Sequence, residues 1–133
     1  MRITQKAAKK APAPPPDPAP HDSGKLTRPE GAPSVASMVE SIVGCKWSLS
    51  VLAQIRAAGD RGIRPGALER AIDGISTKVL NERLDKCLRF GLIHRTAYPE
   101  IPPRVEYRLT PLGERFCRLL DEVERLEAEL SDR

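Results

Sequence analysis

The stretch Asp73–Leu109, DGISTKVLNERLDKCLRFGLIHRTAYPEIPPRVEYRL, leaves the chain few folds to choose from. Ser76 is placed to cap a helix in which Leu80, Leu84, Cys87 and Leu88 recur at i, i+4, i+7 and i+8, the spacing of one buried stripe. Gly91 follows as a left-handed stop. Leu92–Tyr98 then reads as a strand, and Arg104–Leu109 alternates Val105, Tyr107 and Leu109 with Arg104, Glu106 and Arg108, the period of a half-buried strand. The PEIPP segment between them holds too much proline to pair, so the two strands are expected to form a hairpin with a stiff tip.

The residues ahead of this stretch supply its support. Ser34 caps SVASMVESIV, where Val35, Met38, Val39 and Ile42 share a stripe that ends at Gly44. Lys46–Ala58 is a second helix carrying Trp47, Val51, Leu52 and Ile55 and terminated by Gly59, with Trp47 as a core or interface anchor. Ile63 and Arg64 suit a short edge strand, and Pro65 opens a short helix through Leu68 and Ile72. Asp73-Gly74 is the tight turn that joins two steeply crossing helices. This order predicts a mainly α chain with a small β-hairpin wing (α+β), a winged helix-turn-helix with its recognition helix at about 76–90 and its wing at about 92–109.

After the hairpin, Thr110 and Pro111 start a last helix reaching about Leu130. Leu112, Phe116, Leu119, Val123, Leu126 and Leu130 hold a heptad spacing along it. A small domain cannot easily bury so long a stripe against itself, so a homodimer is expected through these residues together with Val35, Met38, Val39 and Ile42. Two-fold symmetry would set two recognition helices about 34 Å apart and call for an inverted-repeat operator in double-stranded DNA.

Residues 1–33 carry eight of the thirteen prolines and a net charge of +3, and are expected to be a disordered, basic, proline-rich arm preceding a domain at 34–133. Residues 61–108 hold ten Lys or Arg against six Asp or Glu, whereas residues 109–133 hold four against seven, so an anionic partner is admitted on one side only. Three cysteines at no metal-ligand spacing argue against a disulfide framework or a metal site and fit a reducing cytoplasm. No apolar run is long enough for a membrane span or a secretory signal, and no nucleophile-base pair or phosphate loop suggests an enzyme or a cofactor.

The exposed side of the recognition helix shows Thr77, Lys78, Asn81, Glu82 and Asp85. Hydroxyl and backbone N–H groups at Ser76 and Thr77 suit phosphate, Lys78 suits guanine and Asn81 has the two-pronged geometry for adenine. Glu82 and Asp85 argue against uniform phosphate binding, which leaves a plain solvent face, or a winged helix that binds another protein, as alternatives. Arg95 and Arg104 flank the wing tip and suit the minor groove or backbone, while His94 is read as a strand histidine without a special task.

Three stretches, Gly44-Cys45-Lys46-Trp47, LERAIDGISTKVLNERLDKCLRFGLI and PPRVEYRLTPLG, together resemble the HxlR-type regulators, dimeric winged-helix proteins of bacteria related to the MarR type. The resemblance covers about 100 residues from Ser34 onward and excludes the proline arm. It implies a homodimer with the first and last helices at the interface, which represses or activates nearby genes. It also implies that Ser76, Thr77, Lys78 and Asn81 face the groove, that Arg95 and Arg104 belong to the wing, and that Arg64 is a backbone contact. Many redox-sensing members carry a cysteine ahead of the first helix, where Ser34 stands here. Cys45 replaces a glycine of the family's pattern at a helix start beside Lys46, and is either a redox thiol or an inert small residue. Pro65 departs from the family's aromatic residue. A small-molecule effector is compatible with an apolar pocket at the dimer interface bordered by the heptad helix and Trp47, and no ligand is identified.

Overall fold

The computed structural model describes residues 26–131. Helix α1 (Val35–Val43) starts where the Ser37 N–H donates to Ser34 Oγ at 3.2 Å, as a serine N-cap should. Helix α2 (Lys46–Ala58) ends at Gly59, whose φ of 63° turns the chain into a 3-10 turn at Gly59–Arg61. Ile63 then pairs with Tyr107 through reciprocal bonds of 3.1 and 2.9 Å, which adds one residue of edge strand to the hairpin. Pro65 occupies the first turn of α3 (Pro65–Ala71), where its missing N–H costs nothing.

Helix α4 (Thr77–Arg89) is capped by Ser76, whose Oγ accepts from Val79 N at 3.1 Å. At its other end Gly91 N reaches Leu88 O and Leu92 N reaches Cys87 O, both at 3.0 Å, a Schellman closure that needs the φ of 78° at Gly91. Leu92 is thereby used in the closure, and β1 runs Ile93–Tyr98, one residue shorter than its pattern suggested. It pairs antiparallel with β2 (Arg104–Leu109), in a register from Ile93↔Leu109 to Tyr98↔Arg104.

Helix α5 (Pro111–Ser131) is locked onto this closure. Thr110 N donates to Leu92 O at 3.0 Å, and Thr110 Oγ1 donates to Gly91 O at 2.6 Å while accepting from Gly113 N at 3.0 Å. Gly113 lies so close to the strand that a Cβ there would overlap the Leu92 carbonyl oxygen. This contact seats the start of α5, which stays on the core as far as Leu120.

The core gathers Met38 and Ile42 of α1, Val51, Leu52 and Ile55 of α2, Leu80 and Leu84 of α4, and Phe116 of α5. Three residues expected at a subunit interface are therefore corrected: Met38 and Ile42 are 0% exposed and Phe116 3%, inside one chain. The heptad spacing hid a change of surroundings, because the helix leaves its own core after Leu120. On α1 and α5 the large apolar residues left outside are Val35, Val43, Leu119, Leu126 and Leu130, with Val39, Leu112 and Val123 half-buried. Trp47 is half-buried and its ring lies beside Gly74, so α2 props the turn between α3 and α4.

Part of the expected arm is also seated on the domain. Ala32 N bonds Pro29 O at 3.1 Å, the Arg28 guanidinium donates to Pro33 O at 3.0 Å, and Pro29 lies so close over Gly91 that no side chain would fit there. The proline run of the arm falls in residues 1–25, outside the described residues. Among the described residues no single helix is long and apolar enough to cross a membrane.

Candidate nucleic-acid interface

Helices α3 and α4 meet at the Asp73-Gly74 turn, where Gly74 takes a φ of 88°. Leu80, Leu84 and Cys87 face inward on α4, which turns Thr77, Lys78, Asn81, Glu82, Asp85 and Arg89 outward. Lys78 is 84% exposed and lies 4.0 Å from Glu82. A pair that open to water is weak and leaves the ammonium available to an anion. Asn81 is exposed, and among the described residues its amide makes no hydrogen bond. Arg89 follows Lys78, Glu82 and Asp85 on the same face at helical spacing, a periodicity that makes it legible although the sequence reading passed it over.

Two expected contacts at the helix start are engaged within the chain. The Ser76 hydroxyl is occupied as the cap. The Thr77 hydroxyl donates to the Glu69 carboxylate of α3, which ties the two helices of the motif together across the turn. What the helix start presents to an anion is therefore its unbonded backbone N–H groups and the dipole behind them. Arg64, at the cap of α3, and Arg70 on the same helix are exposed.

The wing corrects a further expectation. Arg95 is exposed on β1. Arg104 is not: its side chain is 20% exposed, its guanidinium stacks 3.8 Å from the Tyr98 ring centroid, and Glu100 and Glu106 lie 3.3 and 4.0 Å away. A guanidinium already on an aromatic face and between two carboxylates is held to the hairpin and compensated there. The signal was in the spacing, because a five-residue tip between Tyr98 and Arg104 makes them direct cross-strand partners. Arg108 is likewise inward, donating to Asp60 O at 2.9 Å, Arg61 O at 3.3 Å and Glu106 Oε1 at 2.7 Å, which pins the hairpin to the 3-10 turn. Burial, with the Arg108 charge, holds His94 below the usual imidazole range. The tip itself carries Ile101, 99% exposed, before the cis bond to Pro102.

The three thiols are free and unlike one another. Burial pushes Cys87 up to about 12 and Cys117 up to about 11. Cys45 is half-buried at the start of α2. Burial alone would raise it, but the Ser48 hydroxyl and N–H, then the Arg83 and Lys86 charges, bring it down to about 7. A cleft of about 320 Å³ opens between α2 and α5, lined by Leu49, Ala53, Arg56, Cys117, Leu120 and Asp121 among others. Trp47 does not line this cleft, which lies within one chain.

Comparison with known proteins places this geometry. The family model described as HxlR-like helix-turn-helix matches residues 42–133. An uncharacterized HTH-type transcriptional regulator of Synechocystis sp. is 42% identical over 88 residues, 66% of this chain and 63% of that protein. YtfH of Escherichia coli K12, also described as an uncharacterized HTH-type transcriptional regulator, is 40% identical over 72 residues, 54% of this chain and 55% of its own length. The match thus spans less than two thirds of either relative. Among solved structures, a regulator described as MarR-family from Enterococcus faecalis V583 superposes with a TM-score of 0.64 at 32% identity, over 80% of this chain and 96% of that one. A second, from Porphyromonas gingivalis W83, gives 0.59 at 42% identity over 79% and 98%.

Proposed function

The chain belongs to the HxlR-like helix-turn-helix family, and from that premise we propose that it is a transcriptional regulator that binds an inverted-repeat operator in double-stranded DNA as a homodimer. The observation that carries this is the outer face of α4, where Lys78 and Asn81 stand exposed, with Arg64, Arg70 and Arg95 also exposed on the elements before and after that helix. Lys78 and Asn81 read base edges in the major groove, and the three arginines with the N–H groups at Ser76 and Thr77 hold the backbone. Arg104 takes no part in contact and stiffens the wing. The apolar residues of α1 and α5 left outside the core pair two copies. Residues 34–133 form the binding unit, and the basic arm before it adds contacts without sequence preference.

Mobility shifts on duplexes enriched from a randomised library test this. Specific binding that weakens steeply with salt and is lost in Lys78→Ala and Asn81→Ala is expected. Equal affinity for every duplex at physiological salt, or binding that survives both substitutions, overturns it. One observation favours a thiol-responsive version of the same regulator: Cys45 is the one thiol of the three held near neutral pKa, by the Ser48 hydroxyl and N–H and then by the charges of Arg83 and Lys86, which belong to the recognition helix. A peroxide-treated wild type that binds as before, with Cys45 shown oxidised by mass, removes that version.

A further inference from the structure

Each of the two helices proposed to pair copies carries a polar side-chain clasp to the helices of the DNA-reading core, for α5 in addition to the Thr110 contacts at its start. From α4, Lys86 Nζ reaches across to Ser41 of α1, 3.0 Å from Oγ and 3.4 Å from the carbonyl oxygen. That carbonyl lies in the last turn of α1, where the helix dipole favours a cation. Among the described residues these are the only side-chain hydrogen bonds between α1 and α4. From α2, Arg56 grips Asp121 of α5 with two parallel bonds of 2.9 and 3.0 Å. The Arg56 hydrogen bond holds the Asp121 carboxyl below its ordinary range, and Asp121 raises the guanidinium in turn. Beside these clasps, Met38 and Ile42 of α1 and Phe116 and Leu120 of α5 pack into the core, a non-directional contact, whereas a charged hydrogen bond also fixes the angle between its partners.

We propose that Lys86 and Arg56 are positioning residues that set which half-site spacing the dimer accepts. The inference rests on the reading of the chain as a dimeric DNA-binding regulator. In such a dimer the separation of the two α4 helices is transmitted through α1 and α5, so the clasps determine how rigidly one reading head is held relative to the other. One base pair added between half-sites moves them by about 3.4 Å and turns one by about 34°. A stiff dimer rejects that change, and a loosened one follows it.

The experiment uses the full chain. A randomised duplex library enriched on the wild type yields an operator, from which duplexes with the spacer lengthened or shortened by one base pair are made. The wild type is expected to prefer its own spacer by about tenfold, the scale of one charged hydrogen bond. In Lys86→Met and Arg56→Met, which keep the aliphatic stems, that preference falls to about twofold or less, while sedimentation still reports a dimer. Lys86→Arg, a cation of similar reach, restores much of the preference. Arg95→Ala lowers affinity on every spacer alike and leaves the preference standing. An unchanged spacer profile in both methionine variants overturns the proposal, and so does a shift to monomer, which makes the clasps parts of the fold alone. A wild type that enriches isolated half-sites without a spacer preference overturns this inference and leaves DNA binding intact, whereas no enrichment at all overturns both.

Discussion

Arg104 lies 3.8 Å over the ring of Tyr98, its direct partner across the hairpin, and this stacking turns inward the arginine that flanks the wing tip. The two arginines of the wing should therefore behave differently. Arg95→Ala is expected to lower the slope of log affinity against log salt by about 1, the effect of losing one phosphate contact. Arg104→Ala leaves that slope in place and lowers stability by about 1 kcal/mol, the scale of a cation resting on an aromatic face. Salt titrations and urea melts of both variants check the pair. A slope that falls equally in Arg104→Ala would return that residue to the DNA face.

The contrast between these arginines shows what the sequence could and could not disclose. Ser34, Pro65, Ser76, Gly91, Thr110 and Pro111 mark element ends through chemistry that acts within a turn of the chain, and each end lies where that chemistry put it. The exposed side of α4 followed from periodicity in the same way. Periodicity reports that a face is apolar, not what covers it, so Met38, Ile42 and Phe116 looked like neighbours of Val35 and Leu126 although the first three lie in the core. The Thr77 to Glu69 bond, the Lys86 to Ser41 clasp and the Arg56 to Asp121 pair join residues 8, 45 and 65 positions apart. No local pattern encodes such partners.

Gly113 tests the seat of α5. A Cβ would overlap the Leu92 carbonyl oxygen, and backbone on both sides of the contact leaves nothing flexible to give way. Gly113→Ala is expected to destabilise the chain by about 2 to 3 kcal/mol, although alanine is the better helix former, because overpacking outweighs propensity. Denaturant melts measure it. A stabilised variant would mean that α5 is not held against Leu92.

The thiols predict a pH profile. Cys45, lowered to about 7, should be alkylated by iodoacetamide at a rate that rises through neutral pH and levels off above about 8, whereas Cys87 and Cys117, pushed to about 12 and 11 and buried, stay unmodified in the folded chain. Because the Cys45 value is depressed relative to an unfolded thiol near 9.0, ionisation favours the folded state, and that contribution is present above pH 9 and lost as the pH falls through 7. Peptide mass mapping after timed alkylation decides. Labelling of Cys45 only above pH 8.5 would show that Ser48, Arg83 and Lys86 do not stabilise the thiolate in solution.

The carboxylate of Asp121 gives a second test of electrostatics, of the same sign but at lower pH, at the α2–α5 clasp. Its pKa is lowered, so the pair supports the fold above the ordinary aspartate value and loses that support as the pH falls below it. Asp121→Asn should flatten the acid limb of stability against pH and leave the neutral-to-basic limb with its Cys45 dependence unchanged. Melting temperatures from pH 3 to 9 compare the two, and an unaltered acid limb would show that Arg56 gains nothing from Asp121 in solution.

The far end of α5 carries the last prediction. Leu119, Leu126 and Leu130 are 43%, 58% and 66% exposed, too much apolar surface in one stripe for a helix meant to stand alone in water. Leu126 makes the cleaner probe because, unlike Phe116, it contributes nothing to the protomer core. Leu126→Glu should therefore leave the thermal melt of the individual subunit close to intact while moving the sedimenting species from dimer to monomer at micromolar concentration. Half-site affinity would persist in such a monomer, and full-operator affinity would fall, since two linked contacts bind far more tightly than either alone. If the variant remains dimeric, the pairing surface lies elsewhere, and the exposed valines of α1, Val35 and Val43, are the next to be changed.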